Sequence, residues 1–264
     1  MSVYADTGTG RPVILLHAFP CDGSMWSHQA ESLAAAGCRV ITPDLRGFGR
    51  APLGDDPPSL DHMANDIIAL MDHLAIPSAA IGGLSMGGYV AMNLLRRHPT
   101  RVDALVLVDT KATADPPAAA QGRLAMAEDL QVVGTGILRE RVLPALVGPT
   151  TRDHRPEVMA RVERWIDEVP ATTAVWAQRA MAARPDSLAV LGAFAGPALV
   201  VWGDEDVLST RSDHEAMVDA LRQSSRDVTR VQIPGCGHLS AVECPDAVSS
   251  ALQRLLASPG GARS

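Results

Sequence analysis

The chain has 264 residues, 47% of them hydrophobic, which is enough for one large domain or for a domain with an inserted subdomain. Its formal net charge of −7, from 23 basic and 30 acidic side chains, argues against a nucleic-acid surface, because such surfaces need clustered lysine and arginine. No stretch reaches the ~18 consecutive apolar residues of a membrane-spanning helix, so no membrane partner is expected.

The N-terminal segment lacks a basic stretch followed by an apolar one, and no secretory signal is therefore predicted. The four cysteines form no Cys-x-x-Cys pair, which favours free thiols in a reducing compartment. We accordingly expect a cytoplasmic protein. Thr7-Gly8-Thr9-Gly10 predicts a turn before the first buried strand.

The first half of the chain alternates apolar runs with segments in which apolar residues recur at helical spacing. Continuous apolar runs are typical of parallel strands that are buried on both faces. Such strands are predicted at 13–16, 39–42, 79–81 and 104–108. Amphipathic helices are predicted around 26–33, after an N-cap at Ser59, and over 89–97.

The pattern changes after residue 111. Between 112 and about 191 no strand-like run is present, and apolar residues recur at helical spacing between prolines. We predict an all-helical insertion of four or five short helices. The predicted domains are therefore a core formed by 1–111 and 192–264, and a helical cap, or lid, formed by 112–191.

Strand-like runs return at 198–202 and 228–233, each followed by a segment of helical spacing. Alternating strands and helices predict an α/β fold with a doubly wound, mostly parallel sheet. Six strands are expected, and a short extra strand near Val3-Tyr4 would make seven. The last residues, 258–264, are expected to fray.

Gly83-Leu84-Ser85-Met86-Gly87 matches the pattern G-x-S-x-G and lies between a predicted strand and a predicted helix. In this arrangement the chain reverses sharply with one serine at the apex, and the residues two positions away must be small. Gly83 and Gly87 satisfy that need. Ser85 is therefore the candidate nucleophile, close to a helix N-terminus that favours developing negative charge.

Two further chemical groups follow strand ends in the second half of the chain. Because ligands bind beyond the carboxyl ends of the strands in open parallel sheets, residues at these ends are candidates for the site. Asp206 follows the first strand of this half, and His238 follows the last one. The order Ser, Asp, His predicts a triad in which Asp206 orients His238 and His238 takes the proton of Ser85. Asp109, at the end of an earlier strand, is the alternative acid.

The chain resembles the α/β-hydrolase superfamily from residue 13 to about residue 256. The resemblance rests on residues 17–20, 44–49, 82–88, 203–206 and 235–238. It points to the small members with a helical cap, which include esterases, haloperoxidase-like enzymes, lactonases and carbon–carbon bond hydrolases. The backbone N–H of Met86, the residue after the serine, is expected to be one donor of an oxyanion hole. The resemblance implies that the backbone N–H of Phe19 is the other.

Other polar residues near the candidate site have plainer expected roles. His17 is expected to be a structural hydrogen-bonding residue beneath the site. Cys236 is expected to be an inert thiol, since no base is placed for it. Asp204, Glu205 and Asp206 form an acidic cluster, but no paired histidines accompany it, so no metal is expected. No cofactor is expected either.

The cap is expected to cover the strand ends and to form an apolar pocket. Its candidate lining residues are Trp26, Trp165, Trp176 and Met181. We predict a serine hydrolase that cleaves a small to medium ester, thioester or lactone through an acyl-enzyme, as a monomer or homodimer. A carbon–carbon bond hydrolase and a cofactor-free haloperoxidase or perhydrolase are the alternative enzymes. A ligand receptor on the same scaffold is the alternative outside enzymes.

Overall fold

In the computed structural model, which describes residues 3–257, helices flank a seven-stranded sheet. The strands are β1 (Tyr4–Gly8), β2 (Arg11–Leu16), β3 (Cys38–Pro43), β4 (Ala79–Leu84), β5 (Val102–Val108), β6 (Ala198–Gly203) and β7 (Val228–Ile233). Their order in the sheet is β1-β3-β2-β4-β5-β6-β7. β1 is antiparallel to β3, and the other neighbouring pairs are parallel. The predicted α/β class with a mostly parallel sheet is confirmed.

Every predicted buried strand is present, and the central strands β2, β4, β5 and β6 are buried along nearly their whole length. β1 is longer than the short strand expected near Tyr4. It includes Thr7 and Gly8, for which a turn was the wrong prediction. The reason is pairing: Thr7 lies opposite Val40 and Gly8 opposite Arg39 on β3, so both complete a sheet edge. Residues 258–264, predicted to fray, lie outside the described residues.

The helices, in chain order, are α1 (Ser27–Ala35), α2 (Leu60–His73), α3 (Met86–Arg97), α4 (Pro117–Val133), α5 (Ile137–Arg141), α6 (Leu143–Leu146), α7 (Pro149–His154), α8 (Pro156–Glu168), α9 (Ala171–Ala182), α10 (Leu188–Ala193), α11 (Arg211–Leu221), α12 (Ser240–Glu243) and α13 (Pro245–Ala257). Two sets of helices pack on the sheet. In one set, α1 contacts α13 and β3. In the other, α2 packs on α3, and α3 contacts β2, β4 and β5. Ser59 caps α2 by accepting the Asp61 N–H, as predicted. Within residues 3–257, none of these helices has the length and apolar character needed to cross a membrane.

The helices α4 to α10 lie between β5 and β6, where the sequence predicts the cap. The prediction of four or five helices was wrong, because the described chain adds α6, α7 and α10 to the four segments recognised from their spacing. These three have only four to six residues, too few to display a 3.6-residue period. In addition, α10 packs on α11 and α3, so residue 191 falls inside a helix that contacts the core.

Candidate active site

Ser85 occupies the sharp turn between β4 and α3. Its backbone has φ +52° and ψ −113°, which is strained for a residue with a side chain. Two glycines make room for this turn. A Cβ on Gly83 would lie 2.2 Å from the carbonyl carbon of Gly87, and a Cβ on Gly87 would lie 2.1 Å from the carbonyl oxygen of Leu16. The absence of a side chain at both positions is therefore required by backbone contacts.

The side chains of Ser85, His238 and Asp206 form one hydrogen-bonded chain. The Oγ of Ser85 lies 2.8 Å from Nε2 of His238, and Nδ1 of His238 lies 2.9 Å from Oδ2 of Asp206. The Asp206 side chain is fully buried and the His238 side chain is 4% exposed. When Nδ1 carries a proton and donates a hydrogen bond to Asp206, Nε2 is free to accept the proton of the serine hydroxyl.

Several donors stabilise the ionised form of Asp206. Burial alone would raise the pKa of this carboxyl, but the charge and hydrogen bond of His238, together with bonds from Ser209 and Leu208, lower its pKa to about 2. The Oγ of Ser209 donates to Oδ2, while the backbone N–H groups of Leu208 and Ser209 donate to Oδ1 at 2.8 and 3.2 Å. Asp206 is therefore a carboxylate at neutral pH and can stabilise a charged imidazole.

Asp109, the alternative acid, is bonded to backbone groups instead of to the histidine. Its buried carboxylate accepts the N–H of Gly203 at 2.9 Å and the N–H of Ser240 at 3.0 Å. Both ring nitrogens of His238 are already paired with Asp206 and the serine. Asp109 therefore ties together the end of β6 and the start of α12. Burial, and then the nearby charge of Asp206, raises the pKa of Asp109 well above its usual value.

Glu243 organises the loop that carries His238, and the sequence did not single it out. Its buried carboxylate accepts the N–H groups of Gly237 and Leu239, both at 3.0 Å, on either side of the histidine. It also accepts the N–H of Gly148, at 2.9 Å, from the segment between α6 and α7. The available signal was a carboxylate inside an otherwise apolar segment, five residues after the candidate base.

The two acidic neighbours of Asp206 stabilise adjoining segments. Asp204 accepts the N–H of Gly235 at 2.8 Å, and Glu205 accepts both the N–H, at 3.0 Å, and the hydroxyl of Thr150 in α7. These residues therefore connect the loop after β6, which carries Asp206, to the loop after β7, which carries His238, and to the helices between β5 and β6. Among residues 3–257, no group of three or more His, Cys, Asp or Glu side chains is arranged to hold a metal ion.

The two predicted oxyanion donors follow two neighbouring parallel strands, β2 and β4. Met86 is the first residue of α3, where a backbone N–H has no acceptor within its own helix. Phe19 lies in the loop after β2, and its ring packs edge-on against Phe48 with 6.1 Å between centroids. Both N–H groups remain candidates for stabilising an oxyanion near the serine.

His17 has the structural role expected from the sequence. Its Nδ1 donates to the carbonyl of Ala18 at 2.9 Å, and its Nε2 accepts the N–H of Leu45 at 2.9 Å. This pairing requires a neutral ring with the proton on Nδ1. Complete burial lowers the pKa of His17, which is consistent with a neutral ring that fixes the loop carrying Phe19.

The four predicted pocket residues are all buried. Trp165 lines a cavity of about 620 Å³ beside the loop after β2, whereas Trp26, Trp176 and Met181 are not among the residues that line it. The candidate nucleophile does not line that cavity either. The Nε1 of Trp176 donates to the carbonyl of Asp56 at 2.9 Å, which holds this ring against the loop before α2.

Comparison with known proteins identifies relatives along the whole chain. The sequence model of the alpha/beta hydrolase fold matches residues 11–245. The structure is similar to that of a thermophilic esterase from Thermogutta terrifontis, with 38% identity, a TM-score of 0.91, and coverage of 97% of this chain and 92% of that one. It is also similar to an enol-lactonase from Burkholderia xenovorans LB400, with 25% identity, a TM-score of 0.87, and coverage of 97% and 96%. BpoC of Mycobacterium tuberculosis, a presumed non-heme bromoperoxidase, is 30% identical over 97% of both chains. These similarities support a hydrolase.

Proposed function

The chain belongs to the α/β-hydrolase fold family, and from that premise we propose that it is a serine hydrolase of carboxylic esters, thioesters or lactones. The observation that carries the proposal is the hydrogen-bonded chain from Ser85 through His238 to Asp206, with distances of 2.8 and 2.9 Å. Ser85 is the proposed nucleophile, His238 the general base and acid, and Asp206 the residue that orients the ring.

In the proposed mechanism, His238 takes the proton from Ser85 while Oγ attacks the substrate carbonyl carbon. The resulting oxyanion accepts hydrogen bonds from the backbone N–H groups of Phe19 and Met86, each worth about 3 kcal/mol. Protonated His238 then gives its proton to the leaving alkoxide or thiolate, and the acyl group stays on the serine. Water, deprotonated by His238, attacks the acyl-enzyme and releases the acid. Asp206 keeps the ring in the productive tautomer throughout.

The substrate is proposed to be small to medium in size with an apolar acyl group. The support is twofold. The predicted cap, residues 112–191, contributes mainly apolar side chains to the interior, and the similar proteins of known structure include an esterase and an enol-lactonase. Trp26, Trp165, Trp176 and Met181 stay proposed lining residues, and all four are buried.

A second candidate function is acyl transfer to hydrogen peroxide, and the similarity to BpoC over 97% of both chains favours it. The first half of the mechanism is unchanged. In the second half, hydrogen peroxide would replace water: His238 would take its proton, the peroxide oxygen would attack the acyl-enzyme, and the acyl group would leave the serine as a peracid. Peroxide-dependent bromination in acetate buffer tests this candidate, and its absence across the pH range of ester hydrolysis would exclude it.

The proposed function is tested with p-nitrophenyl esters of graded chain length, assayed beside lactones. We expect turnover by the wild type and a loss of about 10⁵-fold or more in Ser85→Ala and in His238→Ala. Ser212→Ala is the matched control, because Ser212 is an exposed serine on α11, and it should retain wild-type activity. Ester or lactone hydrolysis that persists in Ser85→Ala would contradict the proposal. Activity on a vinylogous diketone but not on esters would instead indicate carbon–carbon bond hydrolysis.

A further inference from the structure

Two cysteines flank the loop that carries His238, and neither takes part in the proposed hydrolysis. Cys236 lies before the histidine in this loop, and Cys244 follows between α12 and α13. The Cys236 side chain is fully buried, whereas Cys244 is partly exposed. Both are free thiols. Sγ of Cys236 lies 3.9 Å from the carbonyl oxygen of Ser240, which also accepts the backbone N–H of Cys244 at 2.8 Å. Sγ of Cys244 lies 4.0 Å from the carbonyl oxygen of Gly235, the residue before Cys236. The segment 236–244 therefore begins and ends at two thiols that share neighbouring backbone groups.

A guanidinium group faces the more exposed of these sulfurs. Nη1 of Arg155, between α7 and α8, lies 3.5 Å from Sγ of Cys244 and donates to the carbonyl of Glu243 at 2.8 Å. The hydrogen bond from Cys236 lowers the pKa of Cys244, burial raises it, and Arg155 lowers it again, against the opposing charge of Glu243. The result is a pKa of about 7. A large fraction of Cys244 is therefore thiolate at neutral pH, the form that reacts with oxidants.

Cys236 is held in the opposite state. Its hydrogen bond to Cys244 raises its pKa most, followed by burial and by the charges of Asp109 and Glu243. Cys236 is therefore protonated while Cys244 is ionised. An accessible thiolate close to a second, protonated thiol is the arrangement of an attacking and a resolving cysteine.

We propose that Cys236 and Cys244 form a peroxide-reactive dithiol that closes to a disulfide around the His238 loop. The Cys244 thiolate attacks one oxygen of hydrogen peroxide, the O–O bond breaks, and Cys244 becomes a sulfenic acid. The hydroxide that leaves takes a proton and becomes water. The sulfur of Cys236 then displaces the sulfenic hydroxyl group, which leaves with the Cys236 proton as a second water. Two thiols have lost two electrons, and one peroxide has been reduced to two waters.

The first step prepares the second. While Cys244 is a thiolate, its negative charge holds the proton on Cys236. Conversion of Cys244 to a neutral sulfenic acid removes that charge, so Cys236 loses its proton more readily and becomes a better nucleophile.

The bond would close a ring of residues that includes His238. The carbonyl of Cys236 accepts the N–H of Glu205 at 2.9 Å, and a Cβ on Gly203 would lie 2.1 Å from the same carbonyl oxygen. The backbone of Cys236 thus packs directly against the loop that carries Asp206. Drawing the two sulfurs together to bonding distance is expected to shift His238, and a displacement near 1 Å costs an active site about 100-fold. Oxidation should therefore lower hydrolysis reversibly.

The test uses the full chain, treated with hydrogen peroxide, quenched with iodoacetamide and digested without reduction. We expect a peptide that links Cys236 to Cys244, lighter by two hydrogens than the sum of its parts and separated by dithiothreitol. Cys244→Ser should abolish the link, and Arg155→Gln should slow its formation several-fold and raise the pH midpoint of the thiolate ultraviolet absorbance. Cys38→Ala is the matched control, since burial raises the pKa of the Cys38 thiol, and it should form the link at the wild-type rate.

Three results would overturn the proposal. Oxidation of Cys244 to sulfinic acid without a linked peptide in the folded wild type would exclude the dithiol. A wild-type rate and absorbance midpoint in Arg155→Gln would exclude the role of the guanidinium. A linked peptide with unchanged ester hydrolysis would exclude the coupling to His238. The peptide map needs no turnover, so its result is separable from that of the proposed hydrolase activity.

Discussion

Replacement of Gly87 by alanine perturbs the serine turn at a point where backbone atoms leave no space. The added Cβ would lie 2.1 Å from the Leu16 carbonyl oxygen, 2.6 Å from the Leu16 carbonyl carbon and 2.8 Å from the His17 carbonyl oxygen. All three are backbone atoms at the end of β2, so no side chain can rotate out of the way. Either α3 or the loop that begins at His17 must therefore move.

This movement should lower both stability and activity. Overpacking of a well-packed site costs about 1–3 kcal/mol. The displaced segments also carry the proposed oxyanion donors, because Met86 begins α3 and Phe19 follows β2. Misplacing one such donor costs about 3 kcal/mol of transition-state stabilisation, which is a rate loss of about 100-fold. We expect the free energy of unfolding of Gly87→Ala to be about 2 kcal/mol lower than that of the wild type. We also expect this variant to hydrolyse p-nitrophenyl acetate about 100-fold more slowly.

The assay is urea denaturation followed by circular dichroism, together with steady-state kinetics on the same ester. Gly122→Ala is the matched control, because Gly122 lies within α4 and a Cβ there would meet nothing within 4 Å. Alanine is preferred to glycine in a helix interior by up to about 1 kcal/mol, so this variant should be slightly more stable and fully active. A Gly87→Ala protein with wild-type stability and wild-type kcat would refute the steric reasoning.

Three other changes have defined outcomes. Asp206→Asn should lower kcat/KM for the ester by about 10⁴-fold, because the amide favours the wrong tautomer of His238. Glu243→Gln should lower the free energy of unfolding in urea by about 2 kcal/mol, since one amide oxygen cannot accept the three backbone N–H groups that the carboxylate accepts. The free energy of unfolding of the wild type in urea should fall as the pH is lowered from about 4 to about 2. Burial raises the pKa of Asp115, but Arg184 and a second arginine outweigh burial and hold this pKa at about 2. A carboxyl whose pKa is lower in the folded state contributes stability above its unfolded pKa and loses it as the folded pKa is approached.

Each of these outcomes has a result that would contradict it. Wild-type kinetics in Asp206→Asn would mean that another group orients the histidine. Unchanged stability in Glu243→Gln would mean that its backbone contacts contribute little. Asp115→Asn should flatten the acid dependence of stability, and an equally steep loss in that variant would assign the dependence to other carboxyls.

The three members of the candidate triad could be predicted because parallel topology converts sequence position into spatial position. Ser85, Asp206 and His238 are far apart in the chain, but each follows a strand, and the carboxyl ends of parallel strands meet at one edge of the sheet. The glycines around the serine could be predicted for a local reason, since the strained turn excludes Cβ atoms two positions away.

The supporting residues could not be predicted because their roles depend on contacts that no local pattern encodes. Glu243 accepts N–H groups from two loops, one of them about a hundred residues earlier in the chain. Asp109 sits at a strand end and therefore resembled a catalytic acid, whereas its carboxylate joins two backbone segments. The same holds for Trp176: helical spacing predicts that its ring is buried, but not that it bonds to the loop before α2.

The central claim is that Ser85 is a nucleophile activated by His238 and Asp206. The most direct measurement is the site of covalent labelling by a fluorophosphonate, located by peptide mass spectrometry. We predict a single adduct on Ser85 in the wild type, no adduct in Ser85→Ala, and much slower labelling in His238→Ala. Labelling that persists in Ser85→Ala, or a folded wild-type protein that is not labelled at all, would contradict the claim.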